Sequence, residues 1–217
     1  MTRTSLRLAT LAWLAWLVCF MVLARLGTWT PFAFVGLALA VASVSLNAVP
    51  RAAFRPTLRS AALGLGAGMT MVLLTHWAFA GVERLLPRVR PATQELLWLL
   101  NVVSFSPTAR AGLIVVIAAC EEVLFRGLLP FAGADAASRA HVPSRRELVQ
   151  LLGFTGLYAL TTSPLGSPLL VLCALICGTA WGLMRLLTGS LLVPLLAHVV
   201  WDLGVLLLWP ITSHALS

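Results

Sequence analysis

Residues 108–131 read TARAGLIVVIAACEEVLFRGLLPF, an apolar stretch with two adjacent carboxylates, Glu121 and Glu122, and a cation, Arg126, in its interior. About 20 consecutive apolar residues make one membrane-spanning helix, so this stretch reads as a span with charge inside it. Upstream, Arg7–Arg25, Pro31–Val49 and Arg59–Glu83 read as three further spans, the second opened by a proline at its first turn. No small-x-small cleavage site follows the first, which argues against a signal peptide. Thr93–Ser104 is apolar but too short to cross and is placed at the interface or as a re-entrant piece. Downstream, the charge-free run from Glu147 to Arg185 is broken by Pro164, Gly166 and Pro168, which makes it a hairpin of two spans. Ser190–Trp209 is the last. The expected fold is all-α, a polytopic transmembrane helical bundle of about seven spans. Residues 1–107 supply spans one to three plus the interfacial segment and residues 108–212 a core of spans four to seven, within one structural domain.

Composition agrees with this. The chain has 217 residues, 60% hydrophobic and 10% charged, with mean hydropathy +0.97, well outside the soluble globular range. Seven crossings consume roughly 140 residues and leave no room for a separate soluble domain. The runs are continuously apolar rather than alternating, which excludes a β-barrel, and they lack the glycine period, sustained heptads or polarity of collagen, coiled coils or disordered chains. The net charge of +8 comes from arginines at the ends of apolar runs, a pattern of membrane topology rather than of nucleic-acid binding. A cytoplasmic N-terminus puts Arg3, Arg7, Arg51, Arg55, Arg59, Arg139, Arg145, Arg146 and Arg185 inside, against Arg25, Arg84, Arg88, Arg90 and Arg110 outside. The basic residues are all Arg, as a GC-rich bacterial genome would encode, and the expected location is a bacterial plasma membrane. Cys19, Cys120, Cys173 and Cys177 all fall in apolar runs and read as small buried hydrophobes, although Cys173 and Cys177 share a helix face.

Of seven acidic residues, three (Glu121, Glu122 and Asp202) sit inside spans. At about 2.5–3.5 kcal/mol each for mid-helix insertion, the set costs roughly 8–10 kcal/mol, so these groups are expected to face the bundle interior and to serve a function. The bland alternative is an ion-pair lock between helices. Glu122 and Arg126 stand at i, i+4 with the acid N-terminal, the favourable order for a helical pair. Glu121 points about 100° away, has no basic partner in its own span, and is therefore the candidate general base. His198 and Asp202 lie at i, i+4 in the last span; His76, His141 and His214 have no comparable context and read as structural or solvent-facing. Counted from the proposed cytoplasmic ends, Glu121 and His198 both lie roughly 14–15 Å deep, so they can meet.

The segment Cys120-Glu121-Glu122-Val123-Leu124-Phe125-Arg126-Gly127 matches the E-E-x-x-x-R signature, and His198-Val199-Val200-Trp201-Asp202 the late H-x-x-x-N/D motif, of the CPBP intramembrane proteases. The chain resembles that family, which includes CAAX prenyl endopeptidases and bacteriocin-processing or immunity-related proteins, over roughly residues 108–209. It departs at the middle motif, F-x-x-x-H, where Phe154-Thr155-Gly156-Leu157-Tyr158 carries tyrosine in place of histidine. Tyr158 is at the same depth as Glu121 and His198, and reads either as a modified site residue or as a core aromatic.

The resemblance implies hydrolysis of a peptide bond in a membrane-associated protein or peptide: a prenylated C-terminus, a leader, or a C-terminal sorting tail. Glu121 would activate water, while His198 and residue 202 stabilise the oxyanion. On this reading the catalytic set is Glu121, His198, Asp202 and Tyr158, supported by Glu122, Arg126 and Phe154. His198 is expected to donate as neutral imidazole, with Asp202 as the partner that orients it. No cofactor is expected. Zinc, the alternative, usually takes three protein ligands, and the set Glu121, His198 and Asp202 is poor in nitrogen. The rivals from another class are a catalytically degenerate family member acting as a membrane scaffold or immunity-type partner, and a small proton-coupled transporter; no inverted repeat of broken helices supports the latter.

Overall fold

The computed structural model describes residues 3–100, 105–128 and 142–211. Among them the chain forms eight α-helices and no strand: α1 Arg3–Leu26, α2 Thr30–Ser45, α3 Leu58–Leu85, α4 Val89–Leu100, α5 Pro107–Glu121, α6 Arg145–Thr161, α7 Pro168–Thr188 and α8 Leu192–Leu203. Two of them continue as π-helical turns, α5 through Glu122–Gly127 and α8 through Gly204–Leu208. The fold is thus an all-α helical membrane bundle.

The helix boundaries follow from local chemistry. Ser106-Pro107 and Ser167-Pro168 open α5 and α7, each serine accepting a backbone N–H in the first turn and each proline standing where no hydrogen bond is lost. Thr57 with Ser60, and Ser144 with Glu147, form reciprocal caps on α3 and α6. The hairpin expected between Glu147 and Arg185 is present as α6 and α7, joined through Ser163–Leu165 and a left-handed Gly166 at φ 69°. Of the segment expected at Thr93–Ser104, the described part lies in the short helix α4, tied back to α3 by an ion pair between Arg90 and Glu83, while residues 101–104 fall outside the described residues.

Among the described residues three helices (α1, α3 and α7) are long and apolar enough to cross a membrane by length and composition, whereas Thr30–Ser45 and Leu192–Leu208 are shorter apolar helices. The shortening of α2 has a local cause. Residues 46–49 leave the helix in a turn that places Asn47 at φ 54°, so an apolar run counted to the next charge overestimates the helix.

Large side chains cover the outside: Leu11, Leu14 and Val18 on α1, and Met69, Leu73 and Trp77 on α3, are exposed, the inverse of a soluble protein and suited to lipid contact. Inside, an edge-to-face aromatic cluster joins α1 to α2 and to the turn after α5: Trp16–Phe32 at 5.5 Å, Phe20–Phe32 at 4.8 Å and Trp16–Phe125 at 5.6 Å between ring centroids. The α3–α8 contact is closer still. A Cβ on Gly64 would lie 2.9 Å from the Val193 carbonyl oxygen, and one on Gly68 would lie 2.8 Å from that of Ala197. Small residues let two backbones touch in a membrane, and here the helix held this way is the one that carries His198.

Candidate active site

Glu121 is the last residue of α5 and Glu122 the first of the π-turn. Adjacent positions on a helix point in different directions, and the two carboxylates reach different neighbours. Oε1 of Glu121 accepts the indole N–H of Trp16 at 2.7 Å and Oε2 accepts the hydroxyl of Tyr158 at 2.9 Å. His198 Nε2 stands 3.7 Å from the same Oε2. On the other side, Glu122 Oε1 lies 2.8 Å from His198 Nδ1 and 3.1 Å from Nη1 of Arg126. The i, i+4 pair of Glu122 and Arg126 therefore forms despite the widened turn. Glu121, Glu122, Arg126, Tyr158 and His198 are all buried.

Asp202, one turn after His198, places Oδ2 3.4 Å from Nε2 and is the more accessible member of that pair, its side chain 18% exposed. The sequence-derived expectation that Asp202 orients a neutral His198 differs from this geometry. The orienting contact at Nδ1 comes from Glu122, and a carboxylate oxygen can only accept, so Nδ1 carries a proton. Nε2 then faces Glu121 and Asp202, and can donate only when the ring carries its second proton.

The imidazole is held in plane by Trp181 of α7, stacked at 3.6 Å with 20° between rings. The guanidinium of Arg126 sits over the rings of both Tyr158, at 5.0 Å, and Trp181, at 5.2 Å, a placement in which aromatic faces offset the cost of burying a cation. Gly178 makes this possible: a Cβ there would stand 3.1 Å from Nη2 of Arg126 and 2.9 Å from Thr155 Cγ2. Phe154 is half-buried and lines a narrow cavity beside Tyr158 with Phe125, Arg126, Leu151 and Thr155.

All seven residues singled out in the sequence thus lie in or beside one cluster. His76 stacks on Trp209 at 3.9 Å instead, while His141 and His214 fall outside the described residues. Cys173 and Cys177 are unpaired thiols on α7. Trp16, Trp181 and Gly178 are the parts the sequence did not disclose. Trp77 on α3 is 79% exposed whereas Trp16 is fully buried, and nothing in the surrounding apolar residues distinguishes the two.

Chemically, the cluster presents one buried carboxylate with a hydroxyl donor and an imidazole nitrogen converging on a single oxygen, and a second carboxylate committed to holding the imidazole. No curated protein and no solved structure matches the chain. The family model described as "Type II CAAX prenyl endopeptidase Rce1-like" matches residues 93–204, a stretch that contains Glu121, Glu122, Arg126, Tyr158, His198 and Asp202. This membrane-embedded helical chain therefore belongs to the Rce1-like family of type II CAAX prenyl endopeptidases, a family of intramembrane proteases.

Proposed function

We propose that the protein is an intramembrane endopeptidase that hydrolyses a peptide bond of a membrane-associated substrate through a water activated by Glu121. The observation that carries the reading is the convergence of the Tyr158 hydroxyl and His198 Nε2 on Oε2 of Glu121. Oε2 takes a proton from water as the hydroxide oxygen adds to the scissile carbonyl. The resulting oxyanion is met by Nε2–H of a doubly protonated His198, held at Nδ1 by Glu122 and flanked by Asp202. Collapse breaks the C–N bond, and the proton on Glu121 passes to the departing amine. A positioned general base contributes typically 10²–10⁴-fold, and donors aimed at the developing charge contribute the larger electrostatic share.

Tyr158 stands where the family motif has histidine and serves as a donor to the carboxylate. That substitution bears on the metal question. Zinc sites usually draw on nitrogen or sulfur ligands, and here the third motif position offers a phenol while His198 has one nitrogen committed to Glu122. The donor set favours the metal-free route. The substrate is a prenylated C-terminus, a leader peptide or a C-terminal sorting tail; the chain acts within the bilayer of a bacterial plasma membrane and has no nucleic-acid partner.

The test compares the membrane proteomes of cells carrying the native protein and Glu121→Gln. Precursors with uncleaved tails or leaders accumulate in the variant. Identical proteomes would instead point to a degenerate member acting as a scaffold or immunity-type partner, a role that survives loss of the base.

A further inference from the structure

The family match begins at residue 93, yet one oxygen of Glu121 is held from near the start of the chain. Trp16 of α1 donates Nε1–H to Oε1 at 2.7 Å across a sequence separation of 105 residues. The direction of the bond is set by packing. The indole is fully buried and meets Phe32 edge-on at 5.5 Å and Phe125 at 5.6 Å. It occupies space that α2 leaves at Gly36, where a Cβ would stand 2.8 Å from Cη2 of the ring. The other oxygen, Oε2, is the one shared by Tyr158 and approached by His198.

An indole nitrogen is a donor only and neither takes nor yields a proton in this chemistry. An oxygen engaged by it is committed as an acceptor, whereas the oxygen beside a hydroxyl and an imidazole sits among groups that can pass protons. We propose that Trp16 is a positioning residue for Glu121: it engages Oε1, fixes the plane of the carboxylate, and so assigns proton uptake from water to Oε2 on the His198 side. This deepens, and rests on, the reading of Glu121 as the base. It also makes α1 part of the working site although it lies outside the matched segment.

The experiment uses the full chain in lipid vesicles, with Trp16→Phe and, because a smaller ring could leave a void, Trp16→benzothienylalanine, which keeps the indole's shape and lacks the N–H. Indole ¹⁵N–¹H resonances of tryptophan-labelled protein provide a readout that needs no substrate. The resonance lost in Trp16→Phe should move when Glu121→Gln is introduced. Turnover is followed on a precursor that accumulates in Glu121→Gln membranes. Both Trp16 variants should lose roughly 10- to 100-fold in kcat, the worth of one hydrogen bond to a charged group, with KM within about twofold of native. Native kcat in the benzothienylalanine variant, or a Trp16 resonance indifferent to Glu121→Gln, overturns the positioning role while leaving Glu121 as base. Normal processing by Glu121→Gln, with no precursor accumulating, overturns the base assignment and the positioning role together.

Discussion

His198 on α8 and Glu122 at the start of the π-turn are joined from Nδ1 to Oε1 at 2.8 Å, and that same oxygen is paired with Arg126 at 3.1 Å. One carboxylate thus secures both a buried imidazole and a buried cation. Glu122→Gln should fail on two counts. Removing one partner of a buried pair costs of order 3–5 kcal/mol, so the amount of folded protein and its melting temperature in detergent should both drop. The molecules that do fold should turn over slowly, because His198 is no longer held. Glu121→Gln, by contrast, should accumulate normally and be inert. A normally abundant, inert Glu122→Gln beside an active Glu121→Gln would reverse the two assignments.

Tyr158 donates to Glu121 from the position of the missing motif histidine. A hydrogen bond to a charged group is worth about 1.5–3 kcal/mol, so Tyr158→Phe should lose roughly 10- to 100-fold in turnover, and Tyr158→His should retain activity. In the same vesicle assay a strong chelator should leave the native rate unchanged. Inactivation by the chelator with rescue by zinc removes the metal-free route, and a fully active Tyr158→Phe makes Tyr158 a packing residue.

Gly66 and Gly68 lie on one helix two residues apart and predict opposite outcomes. A Cβ at Gly68 would stand 2.7 Å from Val200 Cβ and 2.8 Å from the Ala197 carbonyl oxygen, whereas at Gly66 it would meet nothing within 4 Å. Gly68→Leu must push α8 away, and His198 and Asp202 with it. Overpacking of this kind costs typically 1–3 kcal/mol, and activity should be lost although the substitution is remote from the chemistry. Gly66→Leu, directed to lipid, should be neutral in both thermal stability and turnover.

We propose a cytoplasmic N-terminus from the arginine distribution, nine inside against five outside. Arg145→Cys, at the exposed start of α6, should then react with an impermeant thiol reagent from the cytoplasmic side. Three of the native cysteines are buried and the fourth half-buried, which keeps the background low. Labelling from the outer side refutes the orientation.

Much of this arrangement was legible in the sequence because charge inside an apolar span is costly enough to need a reason. Glu121, Glu122, Arg126, His198 and Asp202 stood out on that ground, and i, i+4 spacing was enough to pair Glu122 with Arg126. Spacing along one helix says nothing about contacts between helices. That is why spacing pairs His198 with Asp202, its neighbour along the helix, whereas in the fold Glu122 on another helix makes the shorter contact. The same limit hid Trp16 and Trp181. An indole that lines a site and one that faces lipid have the same hydropathy, and only the assembled bundle distinguishes them. Gly178 carried no signal at all, since its role is the space it leaves for Arg126 and Thr155.

The long reach of Trp16 has a consequence for how the chain is made. Ribosomes add roughly 5–20 residues per second, so the indole of α1 is synthesised about 5–20 s before the carboxylate it will hold, 105 residues later. Glu122 then precedes its imidazole partner by another 76 residues. During that interval Glu122 and Arg126 can enter the bilayer as an i, i+4 pair, but the cluster still lacks His198. On the proposed function a nascent chain therefore lacks a complete site until α8 docks, and the glycine seam between α3 and α8 is where that docking is made.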